Sequence, residues 1–135
     1  MGRSRGGLTT KIHALVDGLG NPLHVHLTAG NVNDVSEAPT LIEHAQGDNF
    51  IADKGYDANH VIEAIEKKHM TAVIPSISSR KQKRQIDEHL YKERHLVENF
   101  FCKIKRYRRV ATRYDKTAIN FLGFILFASI RVWLA

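Results

Sequence analysis

One cysteine, one tryptophan, three prolines and no uninterrupted apolar run of membrane length are the first features of this 135-residue sequence. A lone Cys102 excludes an internal disulfide framework and a cysteine-rich zinc site, and it fits a reducing, cytoplasmic setting. The most apolar stretch, AINFLGFILFASIRVWLA at 118–135, is interrupted by Asn120 and Arg131. It falls short of the ~20 apolar residues that a span needs, so no membrane association is expected. A buried core helix or a dimer helix is the better reading. The opening MGRSRGG has basic residues with no apolar stretch behind them, so no secretory leader is expected. What is present suffices for a packed core: 43% of the residues are hydrophobic, the composition of one globular domain over 1–135.

Acidic charge is scarce in the second half. Residues 1–79 carry 6 Lys/Arg against 9 Asp/Glu, whereas residues 80–116 carry 13 against 5. A basic block beside a mildly acidic half is the footprint of a phosphate-backbone binder, although a solvated helix face has the same composition.

Turn residues and hydrophobic period divide the chain. LTTKIHALV (8–16) and PLHVHL from 22 are β-rich and joined by DGLGNP, which predicts a hairpin with Asp17 as ordinary turn chemistry. Asp34 followed by Glu37 predicts a capping box opening a helix near residue 35, kinked or shortened by Pro39. NFIAD (49–53) reads as a strand, ANHVIEAIEKKH (58–69) as an amphipathic helix and TAVIP (71–75) as a strand. That order implies a parallel crossover. Residues 76–87 read as a basic loop, and helices are expected over 88–114 and 117–134.

On a helix at ~100° per residue, Tyr91, Arg94, Glu98, Cys102, Lys105 and Arg109 share about a quarter of the circumference. Leu96, Val97, Phe100, Ile104 and Tyr107 take the opposite face. One face packs, and the other presents a carboxylate among a tyrosine and cations. Such a set can hold a divalent cation and the phosphates of one substrate; an exposed face of i,i+4 charge pairs has the same pattern. His24 and His26 share a strand face, read as solvent-side because no third ligand follows. Asp57 precedes a helix and reads as its N-cap. Cys102, without a paired histidine, reads as inert.

The spacing Tyr91-x2-Arg94-x3-Glu98-x6-Lys105 resembles the signature around the last acid of DDE transposases from bacterial insertion sequences, of the four/five type. ADKGYDA resembles the segment carrying that family's second acid, at Asp53. GRSRGGLTTKIHALVD and RRVATRYDKTAINFL resemble neighbouring segments, in the same order. The resemblance implies an α/β, ribonuclease-H-like mixed sheet flanked by helices. It implies Asp53 and Glu98 as ligands of two Mg²⁺ or Mn²⁺ ions that promote in-line phosphoryl displacement. It implies DNA as partner, with Tyr91, Arg94 and Lys105 near the cut and Lys103, Arg106, Arg108, Arg109 and Arg113 on the backbone; Lys54, beside Asp53, is a further candidate for a phosphate contact.

The family's first acid lies upstream of the GRSRGG-like segment, on a central strand that is not represented here. The expectation is therefore a catalytic core that is inactive alone and marginally stable, completed by an upstream transposase polypeptide. A homodimer is a further expected partner. The rival reading is a non-enzymatic, DNA-binding or dimerising remnant that inhibits the full transposase.

Overall fold

The computed structural model describes residues 3–4, 7–8, 10–106 and 118–134. They form a mixed α/β chain in two compact units. One is discontinuous, Met1–Val32 with His95–Ala135; the other is contiguous, Asn33–Arg94. Each described sheet has two strands.

The discontinuous unit opens with the short antiparallel pair β1 (Arg3–Ser4) and β2 (Gly7–Leu8). The expected hairpin follows as β3 (Thr10–Val16) and β4 (Pro22–Ala29), antiparallel, with Ile12 opposite Leu27 and His13 opposite His26. Asp17 builds the turn: one carboxylate oxygen accepts from Leu19 and Asn21 amides. Gly20 takes φ +84° there, a conformation open to glycine at no steric penalty. Strand alternation then separates the faces. Ile12, Ala14, Val16, Val25 and Leu27 pack on Phe100, Ile104, Ile125, Ala128 and Val132. The last five come from α4 (His95–Ile104) and α5 (Ala118–Leu134), and the indole of Trp133 donates to the Pro22 carbonyl at 2.7 Å.

The other hairpin face carries the histidines. His24 and His26 are half-buried rather than on an open solvent side, and their rings are linked Nε2 to Nδ1 at 3.1 Å. His13, across the ladder, is buried, stacks on His26 and bonds the Thr28 hydroxyl at 2.6 Å.

In the contiguous unit, β5 (Asn49–Ile51) and β6 (Thr71–Val73) pair in parallel, with α2 (Asn59–Lys67) between them in sequence. Val61 and Ile65, one turn apart on α2, are fully buried. α2 ends with His69 at φ +60°, the Met70 amide donating to Ile65 and the His69 amide to Glu66. This is a left-handed cap of the kind glycine usually occupies. Lys68 then reaches the end of α1 (Ala38–His44), its ammonium donating to the carbonyls of Ile42, Glu43 and Ala45 at 2.8, 3.0 and 2.6 Å. Three carbonyls at a helix C-terminus, where the backbone dipole is negative, are thereby satisfied by one cation.

Three local expectations are corrected. The capping box at Asp34 does not form: Asp34–Glu37 is a 3-10 turn behind Asn33, without a side-chain cap bond. Pro39 stands in the first turn of α1, where a missing N–H is harmless, so it starts that helix instead of kinking one. The helix expected over 88–114 is divided within the described residues into α3 (Glu88–Tyr91), a 3-10 turn Lys92–Arg94, and α4, followed by a turn at 105–106. A 3-10 turn rotates the chain by ~120° per residue. Residues 107–114 of that expected helix lie outside the described residues.

Candidate active site and phosphate-binding surface

Asp53 follows β5 by two residues, just past the last bond to the parallel partner, Ala52 amide to Val73 carbonyl at 3.3 Å. The carboxyl ends of parallel strands are where α/β chains place functional groups. Asp53 is exposed. Its Oδ1 accepts the Gly55 amide at 2.9 Å, capping the 3-10 turn Lys54–Tyr56. Lys54 is exposed beside it. A methyl group at Gly55 would sit 3.0 Å from Asp53 Oδ1, closer than real Cβ contacts normally come. Gly55→Ala is therefore expected to displace the Asp53 carboxylate. The melting temperature should shift by only a few degrees, which thermal denaturation checks, because the change is confined to an exposed turn.

The same turn carries one group that local patterns did not reveal. The Tyr56 phenol is pushed up to about 12, first by burial and then by the carboxylates of Asp34, Asp53 and Glu37. It stays protonated and marks an acidic neighbourhood. Among the described residues no three His, Cys, Asp or Glu side chains converge closely enough to hold a metal ion.

Asp57 is not the N-cap of α2; that place falls to Ala58, with no side-chain cap bond. Its carboxylate is buried and accepts the Ile77 amide at 2.8 Å, Arg80 Nε at 2.7 Å and Arg84 Nη2 at 2.8 Å. Burial alone would raise its pKa. The hydrogen bonds from Arg80, Ile77 and Arg84 outweigh that and hold it at about 2, against an ordinary 3.8.

The remaining sequence candidates divide between the units. Asp87 caps α3 through the His89 and Leu90 amides, and the Arg94 guanidinium lies 5.8 Å from the Tyr91 ring centroid, a cation–π pair. Both residues belong to the contiguous unit with Asp53 and Lys54. Glu98 is exposed in the first turn of α4, the end at which the helix dipole favours an anion. Phe100 and Ile104 are buried while Cys102 is exposed, so the two-face reading holds over 95–106, and Tyr107 and Arg109 lie outside the described residues. Lys103, Lys105 and Arg106 are exposed at the end of that helix. They belong with Glu98 to the discontinuous unit. Arg108, Arg109 and Arg113 lie outside the described residues. No helix among the described residues is long and apolar enough to cross a membrane.

The sequence profile of the family described as Transposase DDE domain matches residues 2–133. The chain is 43% identical over 129 residues to a protein of Brucella ovis named, provisionally, as the transposase for insertion sequence element IS6501. That match spans 94% of this chain and 99% of the relative. No solved structure matches the chain.

Proposed function

The chain belongs to the DDE transposase family of insertion sequences, and from that premise we propose that it contributes Asp53 and Glu98 to metal-dependent DNA strand cleavage and strand transfer. The observation that carries the reading is Asp53 itself: an exposed carboxylate just past the end of a parallel strand, held by the Gly55 amide through one oxygen. The family generally uses divalent metal ions. Hard carboxylate oxygens at exposed positions fit Mg²⁺ or Mn²⁺ in donor chemistry. Two such ions, when bound, would supply a deprotonated nucleophile and stabilise the leaving oxygen.

The chain's own residues have separate tasks in this reading. Asp53 and Glu98 offer the anionic oxygens. Lys54, Tyr91, Arg94 and Lys105 position the DNA strand near the cut, and Lys103, Arg106, Arg108, Arg109 and Arg113 neutralise backbone phosphates. A ribonuclease-H-like arrangement is part of the proposal. It is supported by the order of an antiparallel hairpin, a parallel strand–helix–strand and a following acid-bearing helix.

A second reading is favoured by one observation: no three candidate ligands converge among the described residues. On that reading the chain binds DNA, or dimerises, without cutting, and inhibits the full transposase. Cleavage of element-end DNA by the chain, with and without a polypeptide encoded upstream, separates the two. Metal-dependent cleavage that appears only with the upstream partner supports the first, and cleavage in neither case supports the second.

The transposase reading requires DNA binding, and the second reading allows it. Affinity for duplex DNA is expected to fall steeply with salt, by at least a hundredfold over a fourfold rise, because residues 80–116 concentrate 13 Lys/Arg and each phosphate contact releases counterions. Anisotropy titrations measure it. A flat salt response, or unchanged binding after neutralising Lys103, Lys105 and Arg106, would remove the basic block from the interface.

A further inference from the structure

We propose that Arg80 and Arg84 form a DNA-phosphate site whose geometry is set by the buried carboxylate of Asp57. The proposal rests on the transposase reading for its ligand, and on the contiguous unit alone for its geometry.

One carboxylate here faces two guanidinium groups, each bonded to a different oxygen: Arg80 Nε to Oδ2 and Arg84 Nη2 to Oδ1. The Asp57 side chain is 0% exposed, whereas those of Arg80 and Arg84 are 25% and 23% exposed. The cluster thus carries one net positive charge, at a point that solvent reaches. Arg84 is fixed further by the Ile74 carbonyl, 3.2 Å from Nε and 2.8 Å from Nη2. Among the described residues, both terminal nitrogens of Arg80 and Nη1 of Arg84 hold no partner. A planar guanidinium pinned on one edge presents its other donors in a fixed direction. A phosphodiester then meets ordered donors and little side-chain freedom is lost on binding.

The loop that carries these arginines is itself tied. The Lys83 ammonium donates to the carbonyls of Ile77 and Ser78 at 2.7 and 2.6 Å. The Arg84 amide donates to the Ser76 hydroxyl at 2.7 Å, and the Arg80 amide to the Ile77 carbonyl at 3.2 Å. Lys81 is exposed alongside. Asp57 also closes the turn that begins at Asp53, its amide donating to the Lys54 carbonyl at 3.0 Å. Phosphate donors and the candidate catalytic carboxylate are therefore fixed to opposite ends of one five-residue turn. An extended polyanion fits this surface.

The test compares the wild-type chain with Arg80→Gln, Arg84→Gln and Asp57→Asn on fluorescent duplex DNA over rising KCl. Each variant is also monitored by thermal denaturation and by tryptic cleavage at 80–84. Arg80→Gln should weaken binding roughly three- to tenfold and lower the slope of log affinity against log salt by about one. Asp57→Asn is the sign test, because it removes a negative charge. Charge alone predicts tighter binding; loss of orientation predicts weaker binding, with faster cleavage in the loop. Binding as tight as wild type, or tighter, in folded Asp57→Asn would overturn the proposal. If that variant does not fold, Arg80→Gln decides, since Asp57 keeps its bond to Arg84: an unchanged salt slope overturns the phosphate site. Wild-type chain that fails to bind DNA at all would instead overturn the transposase reading.

Discussion

Converting Asp53 to asparagine, or Glu98 to glutamine, is expected to reduce metal-dependent strand cleavage roughly a thousandfold, since a lost metal contact is worth several kcal/mol in the transition state. The substitutions are nearly isosteric, and both residues are exposed. Asparagine at 53 keeps an oxygen for the Gly55 amide, so capping should change by only a few tenths of a kcal/mol. Activity and stability should therefore separate. Cleavage of element-end DNA, in an assembly that is active with the wild-type chain, measures the first, and denaturant unfolding the second. A variant that cleaves within a few-fold of wild type removes its residue from the chemistry.

The largest stability effect is expected at Asp57. Asparagine there leaves two guanidinium groups facing a neutral amide, and removing one partner of a buried ion pair costs about 3–5 kcal/mol. The pH dependence has a definite sign. Asp57 titrates at about 2 in the folded chain against an ordinary 3.8, so the folded state favours the ionised form. Its contribution, about 2 kcal/mol, is fully present above pH 3.8 and is lost as pH falls through about 2. Unfolding free energies measured from neutral pH down to about pH 2 should decline over that window, and the decline should shrink in Asp57→Asn. An equal decline in the variant would place the acid sensitivity on other carboxylates.

Asp57 also shows where local reading stops. Its neighbours in sequence suggested a helix cap, whereas its actual partners lie 20 to 27 residues away, beyond any periodic signal. Asp34 and Pro39 failed for a different reason: both signals were real, but the chain enters α1 through a 3-10 turn, and the proline fits the helix start. Elements with strong period were legible. The hairpin turn at Asp17, the buried pair Val61 and Ile65, and the packed face of Phe100 and Ile104 all follow from spacing. The three-residue tightening at Lys92–Arg94 leaves no such trace, so the division of the expected long helix could not be read from period. At the candidate site, the strand before Asp53 was legible from its apolar run, although it ends at Ile51, but the acidic surroundings of Tyr56 were not. Those acids gather through a tertiary fold that brings Asp34 and Glu37 near a later turn.

The Trp133 indole and Pro22 carbonyl are 111 residues apart in the chain, and that separation matters during synthesis. β3 and β4 are complete once residue 29 has emerged, yet among the described residues their apolar face is covered by α4 and α5, which end at residues 104 and 134. At a translation rate of 5–20 residues per second, Ile12, Val25 and Leu27 wait roughly 5–20 s for the residues that bury them. The contiguous unit needs no such delay and can close while the ribosome is still working. A nascent hairpin left bare for that interval exposes its apolar face to other chains until synthesis is nearly over.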